Sequence, residues 1–190
     1  MARPKLIVVS APSGCGKTTI AKEILQRHPD FLFSVSATTR PKRESEVHGK
    51  HYFFLTKQEF EERIRQDDLV EWEQIYDNYY GTLKSEVDAA LQSGRSMLFD
   101  VDVKGALSIK KRYPVDSVLI FIEPPSLEVL NERLTNRKTE NHEIIKKRLA
   151  RVPMELERGK EFDYRVVNDD LQTAIRNIDA IINNAITSVQ

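Results

Sequence analysis

Lys17 and Thr18 close the octet Ala11-Pro12-Ser13-Gly14-Cys15-Gly16-Lys17-Thr18, which follows four consecutive apolar residues, Leu6 to Val9, and opens a helical pattern near Thr18. Strand, small loop and helix in that order make a phosphate-binding loop. Successive backbone N–H groups curl around phosphate oxygens, and the helix N-terminus adds its dipole. Lys17 reaches the outer phosphates and the Thr18 hydroxyl meets Mg²⁺. Ala11 stands where the usual pattern has its first glycine. That position asks only for a small residue, so the reading survives. The competing reading is an ordinary glycine-containing turn between a strand and a helix.

Such a loop needs a carboxylate beside it to hold or orient the metal. Asp100, at the end of the apolar run Ser96 to Val101, stands in that place. Asp102 follows two residues on, and serves either as the metal-side carboxylate or as the cap of the next helix. Two arginine groups add positive charge. Arg40 and Arg43 sit with Lys42 in the polar segment Ala37 to Lys50, and Arg133, Arg137 and Arg148 flank the helix-breaking run Asn136 to Asn141. The arginine fork matches phosphate oxygens, and an arginine-bearing mobile segment suits phosphoryl transfer. Spacing alone does not separate an anion clamp from a solvated basic face. Glu71 lies between Val70 and Trp72 in an alternating run, so its burial is not evident, and Tyr79-Tyr80 precede Gly81-Thr82. The four histidines show no metal-type spacing. Cys15 reads as a small filler in the loop.

The elements that must position these groups follow from periodicity. Ile20, Ile24 and Leu25 make an apolar helical stripe that stops before His28-Pro29. Phe31 to Ser36 reads as one strand. Tyr52 to Leu55 is strand-like, and a helix follows with Thr56 as its N-cap and Glu59 completing a capping box. Leu69 to Ile75 alternates, and a helix runs from about Ser85 to Leu91, ending at Gly94. Continuous apolar strands return at Ser96 to Val101 and Ser117 to Ile122, with a last short one at Tyr164 to Val167. Helices fill the intervals, one capped by Ser126, one with a kink expected at Pro153, and one over Leu171 to Ile186. Buried strands alternating with helices predict an α/β fold: a parallel sheet covered on both faces, with a small mixed α/β subdomain inserted. Ligands then sit at the carboxyl ends of the strands, where the loop after Val9, Asp100 and Asn168 all fall.

The remaining bounds are negative ones. The 190 residues suit a single domain, and Lys+Arg and Asp+Glu both number 29, so no overall field calls for nucleic acid or an anionic membrane. One cysteine excludes an internal disulfide and suits a reducing compartment. No stretch approaches the length of a signal core or a membrane span. A cytoplasmic protein, monomer or homodimer, is the expectation.

Taken together, SAPSGCGKTT, FSVSATTRPKR, GKHYFF, LVEWEQI, NYYGT, LFDVDVKGA, FIEPPSLEVL, NERLTNRKTE, IKKRLAR and VVNDDL resemble the guanylate kinase family, in that family's order and over essentially the whole chain. The resemblance implies a phosphate-loop core (1–36, 91–126 and 151–190), a GMP-binding subdomain (37–90) and a lid (127–150). It implies transfer of the terminal phosphate of ATP to GMP or dGMP with Mg²⁺, ATP and GMP being the partners. Residues 11–19, Ala11 through Thr19, and Asn168 would bind ATP. Arg40, Arg43, Tyr52 and Tyr80 would hold the GMP phosphate. Ser36, Glu71 and Thr82 would read guanine, with Asp100 and Asp102 also on the GMP side. Lys17, Arg133, Arg137 and Arg148 would stabilise the transferring group, and Thr18 and Asp100 would face the metal.

Guanine chemistry agrees. Its N1–H and 2-amino donors suit one carboxylate, and hydroxyls from Ser36 and Thr82 suit O6. Adenine offers N1 as an acceptor and would leave Glu71 unpaired. Besides Ala11, two positions depart from the family pattern. Pro41-Lys42 inverts the commoner order, and Lys138 replaces a lid glycine, a change that would slow lid motion. Two other readings remain at this stage: a guanylate-kinase-like interaction module without catalysis, and a phosphate-loop kinase acting on a phosphorylated sugar.

Overall fold

The structure is a computed structural model, and it describes residues 3–75, 77–135 and 142–187. Its centre is a five-stranded sheet in the order β2-β7-β1-β8-β9, comprising β1 (Leu6–Ser10), β2 (Leu32–Phe33), β7 (Met97–Asp100), β8 (Ser117–Glu123) and β9 (Tyr164–Val167). Every pairing is parallel. The continuous apolar runs explain this: Leu6 and Val8 pack into one core, Ile7 and Val9 into another on the opposite face. Each face is covered by helices, so neither half of the alternation is free to be polar.

One layer contains α1 (Lys17–Arg27), α5 (Leu127–Thr135), α6 (His142–Gly159) and α7 (Leu171–Thr187), whose Ile20, Ile24, Leu130, Leu134, Ile175, Ile178 and Ile182 are fully buried. The other contains α3 (Lys84–Gln92) and α4 (Val103–Arg112), which bury Val87 and Ile109 against Phe99 and Phe121. Each such side chain contributes about 1.5–3 kcal/mol of burial. The α1 helix ends at His28 because Pro29 follows. The α6 helix runs through Pro153 without ending there.

A second, mixed sheet of order β4-β3-β6-β5 comprises β3 (Ala37–Thr38), β4 (Phe53–Phe54), β5 (Leu69–Ile75) and β6 (Asn78–Leu83). Its small core, Ala37, Phe60, Leu69 and Leu83, is roofed by α2 (Lys57–Arg65). That helix starts with the capping box expected of Thr56 and Glu59, the Glu59 N–H donating to Thr56 Oγ1 at 3.2 Å and the Thr56 N–H to Glu59 Oε2 at 2.6 Å. The strand expected over Phe31 to Ser36 is a correction. Only Leu32–Phe33 pair with β7, the Ser34 N–H still reaches Leu98 O, and the chain then leaves to serve the second sheet at Ala37–Thr38. No helix of the described residues is long and apolar enough to cross a membrane.

Candidate active site

The cleft lies at the carboxyl ends of β1 and β7, between the loop and the mixed sheet. It measures about 600 Å³ and is lined by the loop, by Ser36, Tyr52, Glu71, Glu73 and Tyr80, and by Asp100, Asp102, Arg148, Arg151 and Glu155. The loop is held from behind. Asn168, buried at the end of β9, donates Nδ2–H to Cys15 O at 2.8 Å, while its own N–H donates to Glu123 O at 2.8 Å. Gly16 has φ 82°, and a Cβ there would stand 2.7 Å from Asn168 Nδ2, so both backbone and space require glycine. Ala11 has no such demand. Asp67 is the only non-glycine with positive φ among the described residues, which is why a methyl group is tolerated at the loop's first position.

Lys17 Nζ lies 2.7 Å from Asp100 Oδ1 and donates to Val101 O at 3.0 Å. The loop lysine and the strand-end carboxylate therefore meet, which puts Asp100 beside the loop. Arg148 reaches the loop from α6, donating to Ser13 Oγ at 2.7 Å. Arg133 on α5 instead donates to Asn168 O at 3.0 Å and does not line the cleft. Arg137 and Lys138 lie outside the described residues. Cys15 is fully buried, and burial pushes its thiol up to about 12, so it stays a neutral filler.

On the opposite wall, β5 and β6 pair antiparallel with a bulge between Leu69 and Glu71: Leu69 faces Leu83, and Glu71 already faces Thr82. The extra residue inverts the alternation. Leu69 packs under the mixed sheet, while Glu71 turns to the cleft. Thr82 donates Oγ1–H to Glu71 Oε1 at 2.7 Å. Burial, opposed by that bond and reinforced by Asp102 and Glu73, pushes the Glu71 carboxyl up to about 7. Room for it comes from Gly105 on α4, where a Cβ would stand 3.1 Å from Glu71 Oε2.

Several expected groups are placed differently. Thr82 is buried behind Glu71, its hydroxyl bonded to the carboxylate rather than presented to a ligand. Asp102 caps α4, accepting from the Gly105 N–H at 2.8 Å with Oδ1, while Oδ2 lies 3.4 Å from Arg151. Arg40 gives its fork to Glu46, at 2.6 and 3.1 Å, and lies 5.3 Å from the Tyr52 ring centroid. The Arg40 and Arg43 contacts hold the Glu46 carboxyl at about 2. Neither arginine lines the cleft in this conformation. Sequence reasoning missed Gly105, Glu73, Arg151 and Glu155, the last two a charged i,i+4 pair on α6 at 3.7 Å that reads from sequence as surface. Glu155 is nevertheless buried, and burial raises its carboxyl.

Mg²⁺ takes oxygen ligands, usually one or two carboxylates with phosphates and water completing the shell. The Thr18 hydroxyl at the start of α1 and the Asp100 carboxylate, which line the same cleft, are oxygen donors of the kind this ion takes. Among the described residues no group of three His, Cys, Asp or Glu side chains forms an all-protein metal cage, which is not what this ion needs.

A central parallel strand ending in such a loop, with a second polar wall across one cleft, is the architecture of phosphate-loop kinases of small molecules, and the chain is of that class. Its family follows from comparison: the family model described as guanylate kinase matches residues 3–185, and the chain belongs to the guanylate kinase family. It is 49% identical over 182 residues to the guanylate kinase of Chlorobium chlorochromatii, covering 96% of each chain. It is 45% identical to that of Carboxydothermus hydrogenoformans, covering 96% of this chain and 89% of the relative. The crystal structure of guanylate kinase from Anaplasma phagocytophilum superposes with a TM-score of 0.78 at 26% identity, covering 100% of this chain and 89% of that one. A gluconokinase from Sinorhizobium meliloti, at 15% identity and a TM-score of 0.53, shares the fold alone.

Proposed function

We propose that the protein transfers the γ-phosphoryl group of ATP to GMP, giving ADP and GDP, and accepts dGMP as well. The observation that carries this reading is Glu71, a carboxylate oriented by Thr82 on the wall facing the phosphate loop. It accepts the N1–H and 2-amino hydrogens of guanine together, and Ser36 donates to O6. Adenine turns a lone pair toward the same carboxylate. Tyr52 and Tyr80, whose rings lie 6.3 Å apart, stand beside the acceptor phosphate. Arg40 and Arg43 join them as Arg40 exchanges Glu46 for the phosphate.

ATP occupies the loop, residues 11–19, with Asn168 holding the loop in shape rather than touching the adenine. The triphosphate gives Lys17 a new anionic partner, so Lys17 leaves Asp100. Thr18 and Asp100 would hold Mg²⁺, which supplies charge neutralisation on the β- and γ-phosphates. The acceptor phosphate is already an anion at neutral pH, so no general base is needed. Lys17, Arg148 and Arg137 neutralise the transferring group, Arg133 joining them as it exchanges Asn168 O for the phosphate, and catalysis is positioning plus electrostatics. In this scheme residues 37–90 are the GMP-binding subdomain, 127–150 the lid and the remainder the core.

The test is product identification by phosphorus NMR with ATP, Mg²⁺ and GMP. ADP and GDP appearing in equal amounts is the expected result; ADP and inorganic phosphate alone would contradict the acceptor.

A further inference from the structure

One carboxylate on the cleft wall is used neither by the loop nor by the guanine reading. Glu73 lies two residues beyond Glu71 on β5, and both line the cleft together with Ile75, as strand alternation past the bulge requires. Across the hairpin Glu71 pairs with Thr82 and Glu73 with Tyr80. The first rung carries the base contact and the second carries the tyrosine assigned to the acceptor phosphate. Two strand residues advance about 6.8 Å, roughly the reach from the Watson–Crick edge of a purine to its sugar. Glu73 therefore stands at the level of the acceptor's ribose.

Its present partners are weak. Lys104 Nζ is 3.9 Å away on a side chain that is 60% exposed, a pair with little to hold it. Asp102 contacts it carboxyl to carboxyl, and this contact, after burial, raises the Glu73 carboxyl. Arg151, which also contacts Asp102 at 3.4 Å, and Lys104 act in the opposite direction. Two carboxyls sharing a cleft gain from a ligand that brings donors. A carboxylate is a poor neighbour for a nucleotide's phosphate, but it matches vicinal hydroxyls, each of which donates one hydrogen to one oxygen.

We propose that Glu73 is a specificity-determining residue that accepts hydrogen bonds from the 2′- and 3′-hydroxyls of the acceptor nucleotide and so favours the ribonucleotide. This rests on the acceptor reading above.

The experiment is steady-state kinetics with GMP, dGMP and 2′,3′-dideoxy-GMP at saturating ATP and Mg²⁺, for the wild type, Glu73→Ala and Glu73→Gln, with thermal unfolding of each. Glu73→Ala raises KM for GMP about tenfold, as a lost substrate hydrogen bond does, and leaves KM for the dideoxy acceptor and kcat within about twofold. dGMP falls between the two acceptors. Glu73→Gln, which keeps one acceptor oxygen and the side-chain shape, falls between wild type and Glu73→Ala. An unchanged ratio of KM values for GMP and dideoxy-GMP overturns the proposal, whether both acceptors weaken equally or neither does, because a structural role through Lys104 or Asp102 cannot sense the sugar. A wild type that phosphorylates no guanine nucleotide defeats the acceptor assignment itself; an active wild type with an unchanged ratio defeats only Glu73.

Discussion

Thr82 donates its hydroxyl hydrogen to Glu71 across the β5–β6 hairpin at 2.7 Å, and this bond fixes one carboxylate oxygen while the other, Oε2, lies beside Gly105. The bulge before Glu71 sets up the pairing. Thr82→Val removes the donor but keeps the shape, and the carboxylate loses its orientation. KM for GMP should rise about tenfold with KM for ATP unchanged. Initial rates with each substrate varied in turn would check this.

Glu71 must be ionised to accept both guanine hydrogens, and its carboxyl is pushed up to about 7. As pH falls through 7 the protonated fraction grows, so KM for GMP should rise up to tenfold per pH unit. Glu71→Gln should have a KM for GMP about 100-fold higher and lack that dependence near neutrality; ionisation of the nucleotide phosphate is common to both proteins and cancels.

The same group makes stability depend on pH. Its folded carboxyl titrates near 7 against an ordinary value of 4.5, so between those values the folded chain keeps a proton the unfolded chain has released. The stabilising contribution is fully present below 4.5 and is lost as pH rises through about 7. Thermal unfolding should show Glu71→Gln gaining on the wild type from pH 5 to pH 8.

Gly105→Ala sets two effects against each other. Alanine favours a helix by about 1 kcal/mol, but its Cβ would press on Glu71 Oε2 from 3.1 Å. Thermal unfolding should show no loss of stability while KM for GMP rises several-fold. A parallel loss in both quantities would show that Gly105 serves packing alone.

Asn168 ties the loop at Cys15 to β9 and accepts from Arg133. Asn168→Ala leaves the buried Cys15 carbonyl without its donor and should cost about 1–3 kcal/mol. Unfolding by urea should show the loss, and KM for ATP should rise with it.

Much of this was legible in the sequence. The loop, Asp100, the capping box at Thr56 and the central-sheet strands β1, β7, β8 and β9 rest on local signals: apolar runs, glycine spacing and capping residues. What escaped was long-range. The run Phe31 to Ser36 is one extended piece whose ends serve two sheets, and nothing local marks the departure after Ser34. Strict alternation from Leu69 puts Glu71 on the same face as Leu69; only the bulge reverses this, and a bulge has no signature without its partner strand. Spacing left Arg40 undecided between an anion clamp and a solvated charge, because its partner, Glu46, lies six residues away in the same loop with nothing local to mark the pairing. Arg151 and Glu155 have the spacing of a solvated helix pair, and only packing over the cleft buries the second of them.

On the proposed function, the Glu71 wall selects guanine as acceptor for phosphate delivered from the loop. Comparing kcat/KM for GMP and AMP, with ATP and Mg²⁺ saturating and ADP release followed, tests it most directly. A preference for GMP of about 10⁴-fold or more is expected from leaving a buried carboxylate facing a lone pair. Comparable values for the two acceptors would contradict it.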